Sequence, residues 1–270
     1  WRCGRTNAGA TDMESVMKFT PRKTLKAALF AGASMVALNC GQASALTIMT
    51  TGCGVAATSC SMSQLFAGGT IQVEDKLFDQ WSLFQDSVET TDNWQVTGID
   101  DGGNFGLNFT NIDFDTWQTG FGENDEDVDF GYRVSVTDPT KRIISNTLNL
   151  TGSDVDIDGD AIARAEVREE LSTTGGFLND IGEKEVFEET EIGDILEFTL
   201  PLADLTELFV ETRLDVDAEV FESGEADAEI TSFTTVYGQR MIAVPEPGTA
   251  ALLGVGLAGL AGLRRRKKRV

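Results

Sequence analysis

The stretch best suited to chemistry is a run of carboxylates at alternate positions. Asp154, Asp156 and Asp158 lie in the sequence DVDIDGD, which covers residues 154–160. Carboxylates at positions one, three and five with a glycine at six are typical of the start of a calcium-binding loop. At position twelve Ala165 replaces the bidentate glutamate of that loop. Calcium is therefore the one cofactor that the sequence suggests, on an incomplete pattern.

The local conformation decides whether these aspartates can share an ion. Alternate residues of a straight strand lie about 6.6–6.8 Å apart, whereas calcium needs its oxygens within about 2.3–2.6 Å of the ion. Only a curled loop can gather three such carboxylates. Val155 and Ile157 alternate with the aspartates, which favours a strand with a solvated acidic face over a calcium loop.

An aromatic-rich region offers a second kind of binding chemistry. Trp81, Trp94 and Trp117 lie there among several phenylalanines. Flat aromatic rings can stack on sugar rings while nearby Asp and Asn bind hydroxyl groups, which predicts a lectin-like site. Aromatic side chains also dominate hydrophobic cores, and we favour this second interpretation for most of them.

The composition argues against most catalytic sites. The chain contains no histidine, which excludes Ser-His-Asp and Cys-His catalysis and His-ligated metal sites. A pair of carboxylates suited to glycoside hydrolysis is not singled out by any spacing. We therefore expect a non-catalytic protein, with a secreted glycoside hydrolase as the alternative.

The elements that must position these residues are predicted to be strands. Short runs rich in Thr, Val, Phe and Ile are separated by Gly, Asn and Asp clusters. Half-polar strands of this kind are typical of antiparallel sheets with one wet face. The sequence predicts an all-β fold, an antiparallel β-sandwich or jelly roll.

Particular segments give sharper predictions. Residues 208–221 alternate strictly and predict a strand, followed by a turn at 222–226 and a returning strand at 227–238. Residues 154–168 predict a strand, with a helix over 160–171 as the alternative. We also expect a loop at 123–129 and a strand at 195–200 that Pro201 ends.

The C-terminus combines three features in a fixed order. Pro245, Glu246 and Pro247 come first, an uncharged apolar run follows over 248–263, and six basic residues close the tail, beginning with Arg264, Arg265 and Arg266. As a helix the apolar run would span about 24 Å, slightly less than the ~30 Å hydrocarbon core. The basic run would then stay on the cytoplasmic side.

This order resembles the PEP-CTERM sorting signal. The resemblance implies recognition by an exosortase-type membrane protease at or near Pro245, Glu246 and Pro247, in Gram-negative bacteria that make extracellular polysaccharide. It covers only the tail, residues 244–270. A plain C-terminal membrane anchor that is never cut is the alternative.

The N-terminus predicts export. Lys18, Arg22, Lys23 and Lys26 precede an apolar stretch, and the Ala-Ser-Ala of residues 43–45 provides a cleavage site for signal peptidase. We expect a signal peptide over 17–45, with Met17 as the initiator and residues 1–16 as an upstream extension. Met13 is the alternative start, and lipidation at Cys40 is an alternative to cleavage after residue 45.

The segment 46–243 is then the mature body, of a size suited to one domain. It holds 41 of the 44 acidic residues and 9 of the 21 basic residues, which gives a net charge of −32. Such a surface repels nucleic acid and attracts divalent cations or basic partners. Cys53 and Cys60 are its only cysteines, and in an exported protein they predict a local disulfide.

Together these features predict an exported cell-surface or extracellular-matrix protein with a structural or interaction role. Signal peptidase, an exosortase-type protease and exopolysaccharide are the expected partners. A calcium- or carbohydrate-binding module of the matrix is the alternative function.

Overall fold

The computed structural model describes residues 46–54, 57–86, 91–176, 180–190 and 194–242, and nearly all of them belong to β-strands. This confirms the prediction of an all-β fold. The predicted signal peptide and the sorting tail lie outside the described residues. Within those ranges no helix is both long enough and apolar enough to cross a membrane.

In the residues that the structure describes, twelve strands form one antiparallel sheet. The only helices in the described ranges are α1 (Met62–Phe66) and a 3₁₀ helix (Thr91–Asn93). The strands are β1 (Ile48–Thr51), β2 (Ser59–Ser61), β3 (Thr70–Val73), β4 (Lys76–Asp86), β5 (Gln95–Asp101), β6 (Asn104–Thr110), β7 (Phe114–Thr119), β8 (Gly122–Val136), β9 (Lys141–Ser172), β10 (Asp180–Glu189), β11 (Glu197–Leu205) and β12 (Glu207–Met241). The longest path through the sheet is β1-β3-β4-β8-β12-β6-β5-β2, and β7, β9, β10 and β11 branch from it.

Two very long strands, β9 and β12, organise the sheet. They pair from one end to the other, with Phe209 opposite Ser172 and Met241 opposite Lys141. The other edge of β12 pairs successively with β8, β7 and β6, and the other edge of β9 pairs with β11 and β10. Both halves of the sheet therefore share one continuous ribbon of two strands.

The predicted turn at 222–226 is wrong, because β12 continues through it. Gly224 lies opposite Gly159, and the register shifts between Val220 and Gly224. Gly224 has a φ of 142° and Gly159 a φ of 91°, conformations that glycine adopts readily. The two glycines absorb the irregularity as a bulge, and regular pairing resumes with Glu225 opposite Asp158.

The sheet folds over an aromatic core. The Phe109 ring of β6 stacks on Phe233 of β12, with ring centroids 4.3 Å apart. It also packs 5.6 Å from Phe130 of β8 and 6.4 Å from Trp81 of β4. Strands β4 and β8, on one side of β12, thus pack against β6 on its other side, as in a sandwich. The predicted inward residues of β12 are all buried: Leu208, Val210, Thr212, Leu214, Val216, Ala218 and Val220.

Three further sequence predictions concern residues 123–129, residues 154–168 and Pro201. Residues 123–129 are strand, not loop, because β12 satisfies their backbone groups and their charged side chains remain near solvent. Residues 154–168 are strand rather than helix. Pro201 lies inside β11 rather than ending it, since β11 pairs only with β9 among the described strands and an edge strand tolerates a missing N–H donor.

The structure also joins Cys53 and Cys60 in a disulfide. Both residues are buried, and Cys60 lies in β2 opposite Val96 of β5. The bridge ties the segment after β1 to this end of the sheet.

Candidate functional site

The three predicted aspartates lie on one face of β9. Asp154, Asp156 and Asp158 occupy alternate positions of the strand and are exposed. Their partners on β12 are also acidic, namely Glu229, Asp227 and Glu225 respectively. Directly opposed residues of an antiparallel pair have Cβ atoms about 4.5–5.5 Å apart and point to the same side. The pairing of β9 with β12 therefore brings six carboxylates to this face, where the sequence had indicated three.

Strand β7 adds a third row to this face. Asp115 lies opposite Glu229, and Trp117 lies opposite Asp227. The Trp117 side chain is 55% exposed. We call this surface the acidic face; it comprises Trp117 and the seven carboxylates of Asp115, Asp154, Asp156, Asp158, Glu225, Asp227 and Glu229.

The carboxylates of the acidic face repel one another. Partial burial raises the pKa of Asp227, and the charges of Asp115, Asp154 and Asp156 raise it further. The pKa of Glu229 is raised in the same way, by burial first and then by Asp115 and its other acidic neighbours. A cationic ligand would relieve this repulsion.

The acidic face does not have the geometry of a chelating metal site. In the ranges that the structure describes, no group of three or more His, Cys, Asp or Glu side chains could hold a metal ion. Asp154, Asp156 and Asp158 are spread along an extended strand, so their oxygens do not converge on one point. Calcium binding by these residues stays a prediction.

The other two tryptophans of the aromatic region belong to the core. Trp81 is 7% exposed and Trp94 is 1% exposed. Trp81 stacks against Tyr132 with centroids 4.7 Å apart, and Trp94 meets Phe114 edge to face. Trp117 is therefore the one tryptophan of the three that could contact a ligand.

A groove on the outside of the other half of the sheet was not predicted. Its volume is about 410 Å³, and Phe84 and Phe209 contribute aromatic walls. The ring of Phe84 covers Gly131, where an added Cβ would approach the ring to 2.8 Å. Glu211 lines both this groove and a smaller cavity beside Arg168 and Arg213. The sequence alternation of β12 places Phe209 on the outward side, and this was the one feature of the sequence that pointed to the groove.

A buried polar cluster was missed as well. Lys184 of β10 contacts Glu169 of β9, and both side chains are fully buried. Nothing local in the sequence marks these two residues, because each lies in a segment with many other charged residues. The predicted sorting residues Pro245, Glu246, Pro247, Arg264, Arg265 and Arg266 lie outside the described residues.

Taken together, fold and surface define a class: an antiparallel, sandwich-like β protein with an acidic face and a local disulfide. Residues 243–267 match the model of the PEP-CTERM protein-sorting motif. The chain thus has a PEP-CTERM sorting tail, which implies an exported surface protein that passes through the membrane by way of an exosortase.

Other comparisons are weak. No curated protein matches the chain. The solved structure of TmCBM61 in complex with beta-1,4-galactotriose is 12% identical, with 59% of this chain and 89% of that chain covered and a TM-score of 0.20. The enzymatically active domain of tailspike protein 4 of bacteriophage CBA120 is 13% identical, with 59% and 19% covered and a TM-score of 0.18. Similarities at these TM-scores do not define a function.

Proposed function

We propose that this chain is a non-catalytic structural or interaction protein of the cell surface or exopolysaccharide matrix. It is held briefly in the inner membrane by its tail and is then released or retained outside the cell by exosortase processing. The observation that supports this most directly is the PEP-CTERM motif at residues 243–267, placed directly after the β body.

The body suits such a role. Its net charge of −32 favours solubility and prevents close self-association. The sheet buries a continuous aromatic core and a disulfide, both of which resist unfolding outside the cell. Its partners in transit are signal peptidase and an exosortase-type protease, and its partner at the destination is exopolysaccharide.

The proposal is tested by neutralising the basic run in the native host. Replacement of residues 264–269 by Gln should leave the protein in the membrane fraction with an uncut tail, because the positive charges fix the orientation of the anchor. The C-terminal peptide of the recovered protein, identified by mass spectrometry, is the measurement. Arg240→Gln is the matched control, since Arg240 is an exposed arginine of the body, and it should be processed normally.

Normal cleavage and surface delivery after neutralisation of residues 264–269 would refute the proposed sorting. A wild-type protein recovered with its tail intact in the membrane would instead identify the tail as a permanent anchor.

A second candidate function is binding of carbohydrate, with or without calcium, on the acidic face. One row of that face favours it, because Trp117 lies beside Asp227, which lies beside Asp156. An exposed indole can stack on a sugar ring, while the neighbouring carboxylates accept hydrogen bonds from its hydroxyl groups.

Substitution of the indole tests this candidate. Trp117→Ala should weaken binding to exopolysaccharide by about tenfold, or about 1.4 kcal/mol, when binding is measured by affinity electrophoresis with and without millimolar calcium. Phe198→Ala removes an exposed aromatic ring from β11 and serves as the control. Equal binding by wild type and Trp117→Ala would exclude the acidic face. Unchanged melting temperatures in millimolar calcium would exclude a calcium site, because a ligand of the native state must stabilise it.

A further inference from the structure

The most unusual charged pair in the described chain lies in the middle of the core. Lys184 Nζ of β10 contacts Glu169 Oε2 of β9, and the side chains of both residues have no exposed surface. The two residues are direct cross-strand partners in the register of β9 and β10. Their side chains extend together into the sandwich.

Uncharged hydroxyl groups surround the pair. Tyr132 OH donates to Glu169 Oε1 at 3.4 Å, and Thr235 Oγ1 donates to Glu169 Oε2 at 3.3 Å. Behind them, Tyr237 OH lies 2.7 Å from Tyr132 OH, and Asn146 Nδ2 donates to Thr235 Oγ1 at 2.8 Å. All of these side chains are buried. The carboxyl group is therefore held in place from both of its oxygens.

The surroundings favour neutral forms of both groups. An ammonium has three protons to donate, and Glu169 is the hydrogen-bond acceptor that the described residues provide for Lys184. Burial lowers the pKa of Lys184 well below its usual value. A buried ion pair whose ammonium protons lack acceptors is unfavourable. A neutral amine beside a protonated carboxyl group therefore has the lower free energy. A desolvated, neutral lysine amine is a nucleophile.

We propose that Lys184 and Glu169 form an intramolecular amide bond, which links β9 and β10 covalently inside the core. Lys184 Nζ attacks Cδ of the protonated Glu169 carboxyl, and the hydrogen bond from Tyr132 stabilises the charge that develops on Oε1. Oε2 takes the proton that leaves Nζ and departs as water, with Thr235 donating to it. A new N–C bond replaces one C–O bond, and no oxidant or reductant takes part.

The contact between the two groups accelerates this step. Two groups held in contact can react with effective molarities of about 10⁵–10⁸ M. Burial of both side chains also keeps bulk water from competing with the amine. The product is a neutral amide, which removes two buried ionisable groups from the core.

A second buried lysine also contacts a carboxylate, but in surroundings that do not favour amide formation. The side chain of Lys76 also has no exposed surface, and its Nζ lies 2.8 Å from Asp75 Oδ2. Asp75 however bridges to Lys141 at 3.3 Å, so that carboxylate has cations on both oxygens and is a poor electrophile. We therefore expect no amide at Lys76, which makes it a matched control.

Mass spectrometry of the full chain tests the proposal. The purified protein is reduced, denatured and digested with trypsin, which does not cut after an amidated lysine. We expect a branched peptide that joins the segments around Lys184 and Glu169 and lacks the mass of one water molecule. Lys184→Met should abolish this peptide, Tyr132→Phe should slow its formation, and Lys76→Met should leave it unchanged.

Two results would overturn the proposal. One is recovery of both segments as unmodified linear peptides from wild-type protein whose circular dichroism shows the folded β structure. The other is a branched peptide that lacks ammonia instead of water and joins Lys184 to Asn146, which would remove Glu169 as the electrophile. The wild-type measurement decides the matter even if the Lys184 variant fails to fold.

Discussion

At the scale of single residues, the cost of each carboxylate depends on whether a basic side chain pairs with it. Asp215 lies 3.0 Å from Arg213 and is compensated. Asp217, two positions along β12, lies between Asp125 of β8 and Arg164 of β9. The Arg164 guanidinium pairs instead with Glu166, Glu185 and Glu189, and one Asp217 oxygen is buried without a hydrogen-bond partner. Burial, and then the charges of Glu123, Asp215, Glu219 and Asp125, raise the pKa of Asp217 to about 6.

This shift predicts how the stability depends on pH. Between the ordinary pKa of 3.8 and the folded value of about 6, the folded state holds a proton that the unfolded state has lost. The free energy of unfolding should therefore fall as pH rises through this window. Asp217→Asn should flatten this part of the profile and raise the free energy of unfolding at pH 7 by about 1 kcal/mol, after allowance for solvent screening.

Urea denaturation between pH 4 and pH 8 measures the effect. Asp79→Asn is the control, because it removes a carboxylate that has an arginine partner, Arg133, and that is not among the charges acting on Asp217, and it should not stabilise the protein. A profile for Asp217→Asn that runs parallel to wild type would contradict the assigned titration.

At the scale of elements, the paired bulge of β9 and β12 lies where the two halves of the sheet meet. It interrupts their regular pairing at the point where the partner on the other edge of β12 changes from β8 to β7. Gly224 and Gly159 meet there with almost no space between the backbones: a Cβ on Gly224 would lie 1.8 Å from the carbonyl oxygen of Asp158. Both strands therefore need a glycine at this bulge.

Gly224→Ala should destabilise the protein by about 2 kcal/mol or more, because it adds a backbone clash to an unfavourable φ. Gly176→Ala isolates the conformational part of this cost, since Gly176 also has a positive φ, 94°, but has open space around it. Thermal unfolding followed by circular dichroism compares the two variants. Equal losses would show that the close approach at Gly224 does not constrain the sheet.

At the scale of the whole molecule, the acidic residues and the sorting signal occupy different parts of the chain. The body holds 41 of the 44 acidic residues, whereas the tail ends in six consecutive basic residues. Acidic groups repel anionic lipid, and we expect the basic run to stay on the cytoplasmic side of the membrane. The proposed cleavage between them would release a strongly acidic β protein from its cationic anchor.

Much of the fold was accessible from the sequence, because strand alternation is local. The inward residues of 208–220 were identified by their period of two, and all seven are buried. The turn predicted at 222–226 was wrong because Gly224 signals a break in regular structure without distinguishing a turn from a bulge. That distinction depends on Gly159, a glycine on another strand.

By itself, the sequence determined the strand-rich class of the body and the sorting tail, since both are encoded by contiguous residues whose order carries the signal. Only the tertiary structure placed Trp117 beside Asp227 and Asp156, and only it buried Lys184 against Glu169. Those neighbours come from strands far apart in the chain. Their contacts depend on the register of the entire sheet, which is set by the sum of many backbone pairings and by the packing of the core.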